Sequence, residues 1–238
     1  MAEDRPIKRV LVVTAHPDDV DFGSAGTIAS LTGAGVEVAY CIVTNGDAGG
    51  FDPAIPRSEI AGIRQREQTA AAKAVGVDTL VFLGYPDGQV QPSLDLRRDI
   101  SREIRRFKPD VVITQNPNWD FSRIYGSHPD HRYTGEAALC AVYPDARNPF
   151  TFTELIDEGF EAHAAWQVWI TGGPQPNKFV DTTAFFDRKL AALLCHESQM
   201  PDPEGMKSRV RMWNEALGQA GGFAAGSTAE AYLVIETA

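Results

Sequence analysis

Two short segments hold most of the residues able to do chemistry. Ala15-His16-Pro17-Asp18-Asp19-Val20-Asp21 sets one imidazole among three carboxylates, and Ser127-His128-Pro129-Asp130-His131 puts two imidazoles three residues apart. Imidazole nitrogen and carboxylate oxygen suit a borderline divalent metal, with zinc the usual occupant; a catalytic site takes three protein ligands and keeps a position open. In His16-x-x-Asp19 the two side chains can converge where a strand ends and the chain turns. Pro129 fits a first helical position, so His128 and His131 share roughly one helix face, where one can ligate while the other reaches a bound molecule. Asp18 stands beside a ligand without having to be one, which is the place for a base acting on water. Each segment alone has a plainer reading. An Asp-Asp pair also makes turns and caps, and His-x-x-His arises on helices by chance.

What favours the metal reading is where the elements put the two segments. Lys8 to Ala15 is a β-branched apolar run that reads as a buried strand. A helix near Ala25 to Thr32 ends at Gly33 and Gly35, a second strand covers Val36 to Thr44, and the Gly-rich loop Asn45 to Gly50 follows. A helix from about Ser58 to Val75 stops at Gly76, and Thr79 to Leu83 is a third strand. Ser93 caps a helix that ends before Pro109, Asp110 to Gln115 is a fourth strand, and a helix opens near Pro129. Further strands are expected at Gln167 to Ile170, Lys178 to Val180 and Glu230 to Ile235, with helices near Ala184 to His196 and Glu204 to Leu217. Strands alternating with helices imply an α/β, Rossmann-like, doubly wound, mainly parallel sheet with helices on both faces. The less regular second half reads as an irregular C-terminal extension of a single domain spanning residues 1–238. Open parallel sheets bind ligands outside the carboxyl ends of their strands. Both histidine segments follow strands, so both loops open on one edge.

Composition narrows the partners. The 238 residues include 43% hydrophobic ones, enough for a sizeable core, and carry a net charge of −10, which argues against a nucleic-acid partner. The basic stretch Arg97, Arg98, Arg102, Arg105, Arg106 and Lys108 is interspersed with acids and reads as a solvated helix face. Cys41, Cys140 and Cys195 form no CxxC pair and read as buried free thiols suited to a reducing cytosol. The first residues lack a signal-peptide layout, and no apolar run approaches the ~20 residues of a membrane span. A cytoplasmic protein, with homo-oligomerisation possible in principle, is the expectation.

At its two histidine motifs the sequence resembles the PIG-L/LmbE-like family of metal-dependent N-deacetylases. The leading signature of that family, a strand followed by AHPDD and then an acid, reads here Ala15 to Asp21, with Asp21 where Glu is commoner; the second, HPDH, spans His128 to His131. Weaker echoes are Arg64-x-x-Glu67, Leu83-Gly84-Tyr85-Pro86-Asp87-Gly88 and His196-Glu197-Ser198-Gln199, so the likeness covers about residues 8–200. The family removes acetyl groups from N-acetylglucosaminyl-phosphatidylinositol, from the glucosaminyl precursors of mycothiol and bacillithiol, and from aminoglycoside or glycopeptide intermediates. The resemblance therefore implies one Zn2+ per chain held by His16, Asp19 and His131, and a small N-acylated amino sugar or glycoside as substrate. It implies Asp18 as general base and then acid, His128 as stabiliser of the oxyanion, Arg64 as a substrate contact, and Asp21 as an acid behind the ligands.

Other polar and aromatic residues carry two readings each. Asp130 orients a histidine or stabilises the helix start. Trp119, Phe121 and Tyr125 line a sugar pocket or pack their own loop. Asp47 meets a substrate hydroxyl or makes a turn, and His196 supports the site or its helix; His163 has no partner pattern and reads as structural or exposed. Two rival functions remain. A 2-His-1-carboxylate Fe(II) enzyme predicts a β-barrel setting and leaves Asp18 idle. A non-catalytic Rossmann-like nucleotide binder lacks its GxGxxG turn after the first strand.

Overall fold

A computed structural model describes residues 5–122 and 124–237. Seven strands form one sheet in the order β3-β2-β1-β4-β5-β7-β6. The strands are β1 (Arg9–Thr14), β2 (Glu37–Thr44), β3 (Thr79–Tyr85), β4 (Val111–Gln115), β5 (Gln167–Thr171), β6 (Lys178–Asp181) and β7 (Ala229–Glu236). The helices are α1 (Asp19–Gly33), α2 (Arg57–Ala74), α3 (Leu94–Phe107), α4 (Pro129–Cys140), the short α5 (Thr153–Asp157), α6 (Phe186–Leu194) and α7 (Pro203–Ala220).

Strands β3, β2, β1, β4 and β5 are mutually parallel, while β7 pairs antiparallel with both β5 and β6. The second half is thus more regular than its patterning suggests, because all three of its strands extend the same sheet. Alternate side chains of each strand enter two cores. Leu11, Val13, Cys41, Val112 and Val168 pack against Ile100 and Ile104 of α3 and Ala137 and Ala138 of α4. Val10, Val12, Tyr40, Ile42 and Ile113 pack against Ile28 of α1, Ala71 and Ala72 of α2 and Ala192 of α6. Helices on both faces explain why the inner strands read as continuous apolar runs.

The chain runs outward from β1 through β2 to β3, then returns across the sheet to β4 beside β1. Connections leaving β1 and β4 therefore diverge at a switch point, and a crevice opens outside their carboxyl ends. The His16 segment follows β1 and the His128 segment follows β4.

Three expectations are corrected here. Helix α1 starts at Asp19, a turn and a half before Ala25. Arg105 is fully buried, and its guanidinium donates to the carbonyls of Asp145, Ala146, Asn148, Thr151 and Phe152; that residue is a buried staple, not part of a solvated face. Only Cys41 of the three free cysteines is fully buried; Cys140 and Cys195 are half-buried. His163 is structural, its Nε2 lying 2.7 Å from the Pro109 carbonyl. Among the described residues no helix is long and apolar enough to cross a membrane.

Candidate metal and catalytic centre

Strand β1 ends at Thr14, and the backbone beyond it is tied down before it turns into α1. The Ala15 amide donates to Gln115 Oε1 at 2.8 Å, and the Ala15 carbonyl accepts from Thr44 N at 2.8 Å. Asp18 then adopts φ 85°, ψ −27°, a left-handed conformation costly for a residue with a side chain. Its amide donates to Gln68 Oε1 at 2.7 Å, and its carbonyl accepts from Asp21 and Phe22, which starts the helix. On the other side of the crevice, Gly135 lets α4 sit against the end of β4; a Cβ there would lie 2.2 Å from the Gln115 carbonyl oxygen. Pro129 occupies the first turn of α4, and His128 Nδ1 accepts the Asp130 amide at 3.2 Å.

These constraints bring His16, Asp19 and His131 together. His16 Nδ1 lies 3.1 Å from His131 Nε2 and 3.3 Å from Asp19 Oδ2, and His131 Nε2 lies 3.1 Å from Asp19 Oδ1. Ligands about 2.0–2.2 Å from a tetrahedral zinc sit about 3.3–3.6 Å from one another, so this triangle of two nitrogens and a carboxylate has the size and chemistry of such a donor set. His128 completes a group of three imidazoles whose nitrogens lie within 4.8 Å of one another.

The electrostatics also call for a cation. Burial disfavours charge on His16, yet the carboxylates of Asp130, Asp19 and Asp87 outweigh it and push the imidazole up to about 12. In other words, the acids around this ring hold a positive charge in place even when a proton must supply it. Burial opposes ionisation of Asp19, but His131 and His16 hold it well below the usual range. Asp18 behaves differently. Burial and the neighbouring Asp19 charge push it up to about 6, against the pull of Arg64. His128 is lowered by burial and by the charges of His16 and His131, so it is neutral at pH 7.

Arg64 is 4% exposed; its two terminal nitrogens donate inside the protein, while its buried Nε has no partner. Nη1 donates to the Gly46 carbonyl at 2.9 Å, and Nη2 donates to the Pro17 carbonyl at 2.6 Å and to Asp18 Oδ2 at 3.1 Å. Gly46 and Gly49 make room for it, since a Cβ at either would lie 2.4 Å from Nη1. The residue expected to contact substrate is therefore a buried bracket joining the base to the Gly-rich loop.

Beneath the site, Asp21 is fully buried and its Oδ2 accepts from Gln68 Nε2 and faces His196 Nε2, each at 2.8 Å. Burial works against the His196 cation, but Asp21 reverses this and raises its pKa. Gln68 escaped the sequence reading, although it lies one helical turn past Arg64 on the same face. Asp87 figures in the sequence only within the echo at residues 83–88, with no role; its Oδ1 lies 3.0 Å from His16 Nε2. Glu67 accepts from Ser198 N and Oγ at 2.7 Å each, so two of the weaker sequence echoes meet in space.

The remaining expected residues lie further out. Asp47 pairs with Arg57 at 2.8 Å and accepts the Asp87 amide at 3.3 Å. Trp119 is 44% exposed, lies parallel to Phe121 and carries the Arg132 guanidinium 4.1 Å from its ring centre, as loop packing requires. Tyr125 is exposed and lines a cleft of about 760 Å³ with Phe22, Met200, Met206 and Trp213. None of the three histidines lines that cleft.

Fold and donor set together describe an α/β protein whose sheet switch point carries a His/Asp group able to hold a metal ion. Residues 11–142 match the family model described as PIG-L, GlcNAc-PI de-N-acetylase, and the chain belongs to that family. It is 33% identical over 196 residues to the diacetylchitobiose deacetylase of Thermococcus kodakarensis, covering 82% of this chain and 72% of that one. A probable N-acetyl-alpha-D-glucosaminyl L-malate deacetylase 2 of Bacillus anthracis is 31% identical over 199 residues, covering 81% of each. The solved N,N'-diacetylchitobiose deacetylase of Pyrococcus horikoshii superposes with a TM-score of 0.89 at 30% identity, covering 97% of this chain and 84% of that chain. The same fold appears at 20% identity and a TM-score of 0.79 in a 4-carboxy-2-hydroxymuconate hydratase from Pseudomonas putida, covering 98% of each chain. Architecture alone therefore does not choose the reaction.

Proposed function

We propose that this chain is a zinc-dependent N-deacetylase that removes an acyl group, acetyl in the first instance, from the amine of a small amino sugar or glycoside. Homologous deacetylases of N-acetylglucosamine-type compounds support the substrate class. The observation that carries the reaction is the pairing of Asp18, pushed up to about 6, with the adjacent donor triangle of His16, Asp19 and His131.

An amide is a poor electrophile, so its hydrolysis needs polarisation of the carbonyl, a nucleophile near pH 7 and a proton for the departing nitrogen. His16, Asp19 and His131 would hold the ion, which when bound supplies a Lewis acid and lowers the pKa of water to about 7. Asp18 takes the proton from the attacking water and returns it to the amine nitrogen; a carboxyl near 6 serves both steps. Arg64 keeps Asp18 predominantly ionised at neutral pH and fixes its rotamer through Oδ2. His128 is neutral and its Nδ1 accepts an amide, so its proton sits on Nε2, available to the oxyanion. Asp21, with Gln68 and His196, supports the turn from below. Tyr125, in the cleft with Phe22 and Trp213, is the residue we assign to the remainder of a glycoside. An iron oxygenase reading leaves the Asp18–Arg64 pair without a task.

The test is direct. Zinc-loaded protein is incubated with N-acetylated amino sugars and glycosides, and released acetate and free amine are measured together. Equimolar release supports the proposal. No acetate from any of them, with metal bound, would refute it.

A further inference from the structure

The two ring nitrogens of His16 meet different surroundings. Nδ1 faces Asp19 and His131, whereas Nε2 faces Asp87 Oδ1 at 3.0 Å and Asp130 Oδ2 at 3.3 Å. These two carboxylates come from separate places, the turn after β3 and the first turn of α4, and they are 7% and 0% exposed. A neutral imidazole has one N–H, and neither carboxylate can donate to a bare nitrogen when ionised. With a divalent ion in the triangle, where Nδ1 and Asp19 both face it, the ring is neutral and its one N–H lies on Nε2, toward Asp87 and Asp130. Both acids are themselves fixed. Asp87 Oδ2 accepts the Ala48 amide at 3.0 Å; Asp130 Oδ2 accepts the Gly88 amide at 2.7 Å and its Oδ1 the Val90 amide at 3.3 Å.

We propose that Asp87 is a positioning residue: together with Asp130 it locks His16 as the Nε2–H tautomer and so orients Nδ1 as a metal ligand. This rests on the reading that His16, Asp19 and His131 hold a divalent ion. Asp87 divides its two oxygens between the ring and Ala48, so the Gly-rich loop and the ligand share one carboxylate. That division makes a neutral isostere a sharp probe. Asparagine offers one oxygen where two N–H donors converge, so either Ala48 or His16 is left facing an amide NH2. His16, Asp87 and Asp130 are also close enough, within 4.8 Å, to form a cation site of their own. The imidazole would then have to bridge two ions and give up its only proton, which the tautomer lock disfavours.

The experiment compares wild type, Asp87→Asn and Asp87→Ala. Each is stripped of metal and titrated with zinc against a chromophoric chelator, and 15N-histidine spectra are recorded with and without zinc. Wild type should bind one zinc per chain, with His16 protonated at Nε2 and ligated at Nδ1. Both variants should bind zinc about 10–100-fold more weakly. In Asp87→Ala the slowly exchanging Nε2–H signal of His16 should also be lost or split between tautomers, which a general loss of stability would not produce. Unchanged affinity and an unchanged ring signal overturn the inference while leaving the deacetylase reading intact; should Asp87→Ala not fold, the same result in Asp87→Asn overturns it. A second zinc per wild-type chain that disappears in either variant makes Asp87 a ligand and also overturns it. Failure of wild type to bind zinc through His16 overturns the underlying reading instead.

Discussion

Replacing Arg64 by methionine keeps an unbranched apolar stem, shortens the side chain by two atoms and removes its charge and its donors. Three contacts go: those to the carbonyls of Gly46 and Pro17 and the one to Asp18 Oδ2. The Arg64 side chain is 5% exposed and that of Asp18 17%, so solvent screens the pair only weakly. Removing one partner from a buried ion pair costs about 3–5 kcal/mol. Asp18 can take up a proton rather than remain an uncompensated charge, which caps its share, and each orphaned carbonyl adds about 1–2 kcal/mol at most. We expect a total loss of about 3–5 kcal/mol, read as a lower urea midpoint at neutral pH. A second readout separates bracket from substrate contact. Arg64 pulls the Asp18 pKa down, so without it Asp18 moves further above about 6. The base works only when ionised, and activity is lost as pH falls through its pKa. The acid limb of kcat/KM should therefore shift to higher pH in the variant. An unchanged urea midpoint and acid limb, with only KM raised, would refute the bracket and restore the direct substrate contact.

Two other substitutions probe the centre from either side. Asp18→Asn should retain metal and lose turnover by about 10²–10⁴-fold, measured as acetate release; undiminished turnover removes Asp18 from the mechanism. Gly135→Ala touches no proposed ligand, yet its Cβ would press on the Gln115 carbonyl at 2.2 Å and push the start of α4 outward. A displacement of about 1 Å of His128 and His131 should cost about 10²-fold in turnover, and wild-type rates in that variant would mean that α4 does not set the site.

Much of this architecture is legible without coordinates, for identifiable reasons. Strands buried on both faces announce themselves as apolar runs, and Gly33, Gly35 and Gly76 punctuate the helices between them. Parallel pairing then forces the loops after β1 and β4 to one edge, which is why segments more than a hundred residues apart can be placed together. The start of α1 was hidden because Pro17-Asp18-Asp19 resembles a turn, and Gly23 and Gly26 weaken the helical signal. Gly26 is required by packing, since a Cβ there would lie 2.7 Å from the Thr182 side chain. Sequence alone offers Arg64 only as a substrate contact, by resemblance, and places Arg105 on a solvated helix face, since charged side chains are normally accessible. Each is instead buried by wrapping backbone carbonyls that come from distant loops, and nothing in local spacing encodes such partners. The role of Asp87 is illegible for the same reason: its partner His16 lies two strands away in the sheet.

Metal content per chain, measured after stripping and reloading with zinc, tests the central claim most directly when wild type and His131→Ala are compared. One zinc in the wild type and less than about a tenth of that in the variant, at equal protein concentration and moderate chelator, is the predicted result. Equal zinc in both proteins would mean that the β1 and β4 loops do not share an ion, and the deacetylase mechanism built on them would fall with it.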